Sequence, residues 1–92
     1  MELIKRNTGY GLRALLHMCS RESDEAATAE ELAEAADTTV DFMHKIMRSL
    51  RERGIVTSKP GPGGGFRLAR TPDEIDLLEI VVAVQGAFEV NR

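Results

Sequence analysis

The sequence predicts a mainly α domain with a small β-hairpin: a three-helix core, the hairpin, and a further helix toward the C-terminus. Three observations lead there. Leu12, Leu15, Leu16 and Cys19, and again Met43, Ile46, Met47 and Leu50, recur at i, i+3, i+4, i+7, the spacing of one buried helix face. Six consecutive Gly or Pro residues, Pro60 to Gly65, separate two short β-like runs. A chain of 92 residues, 42% hydrophobic and 29% charged, has room for one domain with a modest core.

Thr8 is placed to cap the first helix, which should close near Ser20. Cys19 continues its apolar stripe and reads as a buried structural thiol. After an acidic loop, Thr28 with Glu31 three residues later has the form of a capping box, opening a short second helix whose apolar face is Leu32, Ala33 and Ala36. Ala36 to Thr39 then makes a turn, and Thr39 caps the third helix, which Gly54 ends as a left-handed C-terminal residue. Two short helices about a tight turn are a helix-turn-helix candidate. The outward face of the third helix carries His44, Lys45, Arg48 and Ser49, with Asp41 near its start.

The strands are expected over Ile55 to Lys59 and Phe66 to Ala69, with the Gly/Pro segment as the hairpin tip. Phe66 and Leu68 alternate with Arg67, so one strand face can pack on the helices. Asp76 with Glu79 forms another capping box, starting a helix with Leu77, Ile80, Val81 and Val84 on one stripe, widened by Leu78 and Val82. So wide an apolar face predicts a partner surface.

The net charge is −3, unevenly spread. Met43 to Arg70 carries seven basic residues (Lys45, Arg48, Arg51, Arg53, Lys59, Arg67, Arg70) against Glu52 alone, a net +6, whereas Ser20 to Phe42 sets eight acids against Arg21, a net −7. A basic segment inside an acidic chain marks a localised anion-binding face. Three helices followed by a hairpin with a Gly-rich tip is the order of a winged helix-turn-helix, in which the third helix enters the major groove and the hairpin tip, the wing, lies on the backbone or an adjacent minor groove. Both elements fall in the basic segment. Gly61, Gly63, Gly64 and Gly65 would let backbone approach phosphate without a Cβ, Pro60 and Pro62 stiffen the loop, and Lys59 and Arg67 flank it with charge.

Rival chemistries fare worse. A nucleotide-binding phosphate loop needs a helix directly after its glycines, but here they lead into Phe66-Arg67-Leu68, a strand. The chain's single cysteine excludes an intrachain disulfide and cannot alone hold zinc or an iron–sulfur cluster, and neither His17 nor His44 has a ligand at metal-binding spacing. His17 reads as an amphipathic surface residue. No nucleophile–base or paired-carboxylate pattern suggests an enzyme. The longest apolar run, Ile80 to Val84, is far short of the ~18 residues of a membrane span, and the start lacks a signal-peptide core, so the expected location is the cytoplasm.

Several stretches resemble the bacterial family of winged helix-turn-helix regulators of the IscR/NsrR type, the Rrf-two family: Tyr10 to Leu16 in the first helix, Thr39 to Leu50 in the third, Gly54 to Ser58 after it, the wing GPGGGFRLAR, and Pro72 to Val84. The resemblance implies a homodimeric regulator, often a repressor, that binds double-stranded DNA at a roughly palindromic operator. By position, Thr38, Thr39, His44, Lys45 and Arg48 become recognition-helix candidates, Lys59 to Gly65 the wing, and Lys5 and Arg6 an N-terminal segment near DNA. Tyr10 and Arg13 match family positions with a structural or backbone-contacting role. The candidate DNA-binding set is Lys5, Arg6, Thr38, Thr39, His44, Lys45, Arg48, Lys59, Gly61, Gly63, Gly64 and Arg67.

This sequence departs from the family pattern at His44, where many members have Glu, and at Pro60, where an Arg precedes the wing's first Gly. Relatives continue into a long dimerisation helix, and cluster-binding members place three cysteines before it. The expectation is therefore a DNA-binding domain over 1–86 and, over 87–92, the start of a C-terminal dimerisation or sensor segment of a longer regulator. No cofactor is expected in this chain; an iron–sulfur cluster would need cysteines supplied by a longer native chain. The competing expectation is a winged-helix protein-interaction module that does not bind DNA.

Overall fold

The computed structural model describes residues 6–21 and 25–87. In order these form α1 (Arg6–Ser20), α2 (Ala29–Ala36), α3 (Val40–Glu52), β1 (Val56–Lys59), β2 (Gly65–Leu68), one 3-10 turn over Pro72–Glu74, and α4 (Leu77–Ala87). This is the expected winged helix-turn-helix order, with β1 starting one residue later than expected and β2 shifted one residue toward the tip. The 3-10 turn, capped by Thr71, is an addition to the sequence reading.

Met43, Ile46, Met47 and Leu50 of α3 are wholly buried, and α1, α2, α4 and β1 all pack against that helix. Burying side chains of this size is worth about 1.5–3 kcal/mol each. Thr39 caps α3, its hydroxyl accepting from Phe42 N at 3.1 Å. At the other end Ile55 N donates to Leu50 O and Gly54 N to Arg51 O, both at 2.9 Å, with Gly54 at φ +75°. These two bonds close the left-handed helix stop that the sequence placed there.

Between α2 and α3 the turn is sharp because Asp37 adopts φ 61°, leaving Thr38 N to reach back to Ala33 O at 3.0 Å. Arg13 braces the same corner from α1, donating to the Ala36 carbonyl at 2.7 Å while its guanidinium lies 5.8 Å from the centre of the Tyr10 ring. Cationic charge at a helix C-terminus is favourable. The Tyr10–Arg13 pair therefore has a structural role.

The first helix departs from expectation in phase. Its buried residues are Thr8, Gly11, Ala14, Leu15 and Met18, so the inward stripe is rotated by about one residue from the Leu12-Leu16-Cys19 line. Leu16 is 66% exposed and Cys19 is exposed, which overturns the buried-thiol expectation. Thr8 does not cap: the helix is already formed at Arg6, and Thr8 lies buried within it. The reason for the rotation is α4, which approaches so closely that a Cβ on Gly11 would stand 2.6 Å from Val84 Cγ2. Gly11 and Ala14 therefore face inward beside Leu15 and Met18, and Leu16 is turned out.

Further side chains are spent on tertiary contacts rather than on the surface. Half of the predicted Thr28–Glu31 capping box forms: Thr28 Oγ1 accepts from Glu31 N at 3.0 Å, but the Glu31 carboxylate turns to the end of α1, where it pairs with Arg21 just past the helix and with His17 Nε2 at 2.7 Å. His17 is thus half-buried in an ion-pair network, not a bare surface residue. Ser49, expected on the outward face of α3, donates instead to the Ala83 carbonyl of α4.

Arg70 grips Glu79 with two hydrogen bonds of 3.0 and 3.1 Å and also donates to the carbonyls of Gly54 and Glu74, each at 3.2 Å. Those bonds, then the Asp76 N–H, hold the Glu79 carboxyl below the usual range. Asp76 caps α4 through Leu78 N at 2.9 Å. Of the predicted α4 stripe, Ile80 and Val84 are buried, while Leu77 is 54% and Leu78 66% exposed. Among the described residues no helix is long and apolar enough to cross a membrane.

Gly11→Val should lower stability in urea unfolding by about 1–3 kcal/mol through overpacking against Val84, and adding Val84→Ala should recover part of the loss. A second outcome concerns pH. The His17 hydrogen bond, then Arg21, against an opposing contribution from burial, hold the Glu31 carboxyl below its ordinary value. A depressed carboxyl stabilises the fold above its ordinary titration range and loses that contribution as pH falls through the folded-state value. Melting curves should therefore separate wild type from Glu31→Gln at neutral pH and converge as pH falls below the depressed folded-state value.

Candidate nucleic-acid interface

The rotation of α3 fixed by its buried stripe leaves Asp41, His44, Lys45 and Arg48 exposed on the opposite side. His44 and Arg48 are four residues apart and Lys45 and Arg48 three, so the three lie on one helix face. Beyond them the face continues to Arg51, seven residues after His44, whose Nη1 donates to Ser58 Oγ on β1 at 3.1 Å. Helix and hairpin are thereby joined on the same side as the cations.

The hairpin is antiparallel with Val56 opposite Leu68, Thr57 opposite Arg67, Ser58 opposite Phe66 and Lys59 opposite Gly65. At its tip Gly64 N donates to Gly61 O at 2.9 Å, with Pro62 and Gly63 between them and Gly63 at φ +74°. Proline followed by a positive-φ glycine is the requirement of a type II turn, so the tip is a defined turn rather than a loose loop. Its angle to the helices is set by a third piece of backbone absent from the sequence reading. Ala27 forms an isolated antiparallel bridge with Phe66, with bonds of 2.9 and 2.8 Å. The Phe66 ring meets His44 edge-on at 6.5 Å between centroids.

Gly65 has to be glycine for this bridge: it sits at φ +140°, and a Cβ there would lie 2.4 Å from the Ala27 carbonyl oxygen. A Cβ on Gly64 would likewise fall 2.0 Å from Lys59 O. Those two glycines answer the chain's own backbone rather than leaving room for phosphate. Gly61 and Gly63, with nothing within 4 Å of a would-be Cβ, face open space.

Helix, wing and the start of α2 enclose an open cleft of about 620 Å³, lined among others by His44, Arg51, Lys59, Gly61, Gly64 and Glu30. Of the sequence-chosen residues, His44, Lys59, Gly61 and Gly64 line it. Lys45 and Arg48 stand exposed on the same helix without lining it, Gly63 stands exposed in the tip turn, and half-buried Thr38 and exposed Thr39 mark the start of α3. Arg67, exposed on β2, does not line the cleft and borders a separate cavity beside α1. Arg6 is exposed at the first described turn of α1 and does not line the cleft, and Lys5 lies outside the described residues.

Among the described residues, Arg48, Lys59 and Arg67 enter no ion pair, whereas Arg70, counted in the basic segment, is engaged by Glu79. The sequence reading missed Arg51, although its spacing from His44 was visible. It also missed Glu30, an acid at the cleft wall.

A family model described as "Rrf2: Iron-dependent Transcriptional regulator" matches residues 4–92. The protein rrf2 of Nitratidesulfovibrio vulgaris is 31% identical over 85 residues, covering 92% of this chain and 56% of that protein. The HTH-type transcriptional regulator IscR of Aliivibrio salmonicida is 26% identical over 83 residues, covering 90% of this chain and 49% of that one. This chain therefore spans about half the length of those relatives. In fold it is similar to the structure of CymR, the global cysteine regulator of B. subtilis, with a TM-score of 0.83 at 23% identity over 94% of this chain and 67% of that one. As for the iron in the family description, no group of three or more His, Cys, Asp or Glu among the described residues is placed to hold a metal ion.

Gly65→Ala should cost about 1–3 kcal/mol from the strained backbone alone. Amide exchange should show the loss first at Ala27 and Phe66, whose mutual bonds the new methyl would push apart.

Proposed function

Because this chain belongs to the Rrf2 family, we propose that it is the DNA-binding domain of a transcriptional repressor that grips a palindromic operator as a homodimer. The observation that carries the reading is the shared cleft: the exposed cationic face of α3 and the wing flank one opening, so a helix and a stiff turn can engage one duplex together. The names of the relatives, transcriptional regulators with a helix-turn-helix, support it.

On this reading α3 enters the major groove. Arg48 offers the forked donor set that matches guanine O6 and N7, and Lys45 and His44 add donors to bases or phosphates. Thr39, whose hydroxyl oxygen already accepts from Phe42 N, still has its O–H to donate to a phosphate at the groove edge. Lys59 and the open Gly61 and Gly63 place charge and bare backbone against the sugar–phosphate chain or the adjacent minor groove. Glu30 repels phosphate, so binding along arbitrary sequence is weakened relative to a site where the cations find their partners.

The homodimer is supported by the exposed Leu77, Leu78 and Val82 on α4, an apolar face that a second copy would cover. Two such domains would read half-sites about one helical turn, ~34 Å, apart. A regulator of this kind acts on chromosomal DNA, in the cytoplasm.

Fluorescence anisotropy on DNA from the chain's own upstream region tests this. Lys45→Ala with Arg48→Ala should weaken binding and flatten its salt dependence by about 0.9 log–log units for each phosphate that is no longer neutralised. Arg48→Ala alone should relax base preference at about 1–3 kcal/mol, while Lys59→Ala should weaken all sequences alike. Unchanged binding in all three variants would favour the protein-interaction module.

A further inference from the structure

Arg70 lies where three elements meet, just past the end of β2, beside the stop of α3 and the first turn of α4. All five of its N–H donors are taken. At the end of α3, Nε donates to the Gly54 carbonyl at 3.2 Å and Nη2 to the Arg53 carbonyl at 3.5 Å. Nη1 donates to the Glu74 carbonyl at 3.2 Å, and the two remaining N–H groups take the Glu79 carboxylate fork to fork at 3.0 and 3.1 Å. Glu79 is itself held by the Asp76 N–H at 3.4 Å.

A guanidinium with no donor left has nothing to offer a phosphate, although its charge belongs to the basic segment. Nor does stability account for it. Both side chains of the pair are partly open to water, and ion pairs so placed add little to folding. What the five bonds do fix is relative placement. Ala69 N donates to Ile55 O at 2.9 Å just beyond the paired residues of the hairpin, and the Arg70 bond to Gly54 continues that line, so the base of the wing is closed against the end of α3. Through Glu79 the same joint is fastened to α4, the helix on which Leu77 and Leu78 stand exposed.

We propose that Arg70 is a positioning residue for DNA binding: without touching DNA it holds α3, the base of the wing and the start of α4 as one body, so that helix and wing meet one duplex at a fixed angle. The proposal rests on the DNA-binding reading. It adds that Glu79, an acid, favours binding to a polyanion, because its carboxylate keeps the Arg70 fork in place. A charge count alone gives the opposite sign, since removing an acid from a DNA-binding body should tighten binding.

Anisotropy on the same upstream DNA, well below the melting temperature of every variant, separates the two. Arg70→Met and Glu79→Gln should each weaken binding about tenfold, with the double variant no weaker than the worse single one. Arg70→Lys, which keeps the charge and loses the fork, should behave like Arg70→Met. The salt slope should stay at the wild-type value in every variant, because no neutralised phosphate is given up. Without DNA, amide exchange in Arg70→Met should quicken at Ile55 and Ala69 and stay unchanged at Ala27 and Phe66. Tighter binding in Glu79→Gln, a slope lower by about 0.9 in Arg70→Met, or wild-type affinity throughout would overturn the role. So would exchange that quickens over the whole chain, which is lost stability rather than a loosened joint. A wild type that binds no DNA fails the proposed function and this inference with it; a wild type that binds, beside variants that bind as well, fails the inference alone.

Discussion

The complete burial of four side chains along α3 is the constraint from which the rest of the molecule follows. A helix held by Met43, Ile46, Met47 and Leu50 has one permitted rotation about its axis, because any other would expose several methylene-rich side chains at about 1.5–3 kcal/mol apiece. That rotation decides which polar residues look outward. His44, Lys45 and Arg48 are presented because their neighbours are not free to be, and Ser49 is drawn into the α4 contact for the same reason.

A second constraint converts a helix and a hairpin into a single surface. An isolated two-stranded hairpin is marginal in water, and this one gains a third stretch of backbone at Ala27 and a ring contact at His44. The bridge explains the glycine at position 65 sterically, and the type II turn explains the Pro62-Gly63 pair. Composition suggested a run of glycines chosen for one purpose. The backbone divides them: 64 and 65 serve internal fit, 61 and 63 remain open.

Charge is divided in the same way. The basic segment between Met43 and Arg70 is not all free charge: Arg70 ties the end of α3 to α4 and Arg51 ties α3 to β1. The acidic stretch is likewise not only a solvated face, since Glu31 anchors α2 to α1 through His17 and Arg21. Formal charge counted along a chain thus overstates what is presented to a partner, because ion pairs and carbonyl caps withdraw some groups from the sum.

The sequence by itself determined the element order, the helix caps at Thr39 and Asp76, the glycine stop at Gly54 and the inward face of α3, because each depends on residues within a few positions of one another. Local hydrogen bonds and helical periodicity are written at that range. The tertiary structure alone decided the phase of α1, where Val84 against Gly11 outweighed the longer leucine stripe and left Cys19 exposed. It also decided the angle of the wing, through a backbone bridge between residues 27 and 66 that no side-chain pattern encodes. Contacts between distant segments are settled by volume and by backbone pairing, neither of which a local pattern carries.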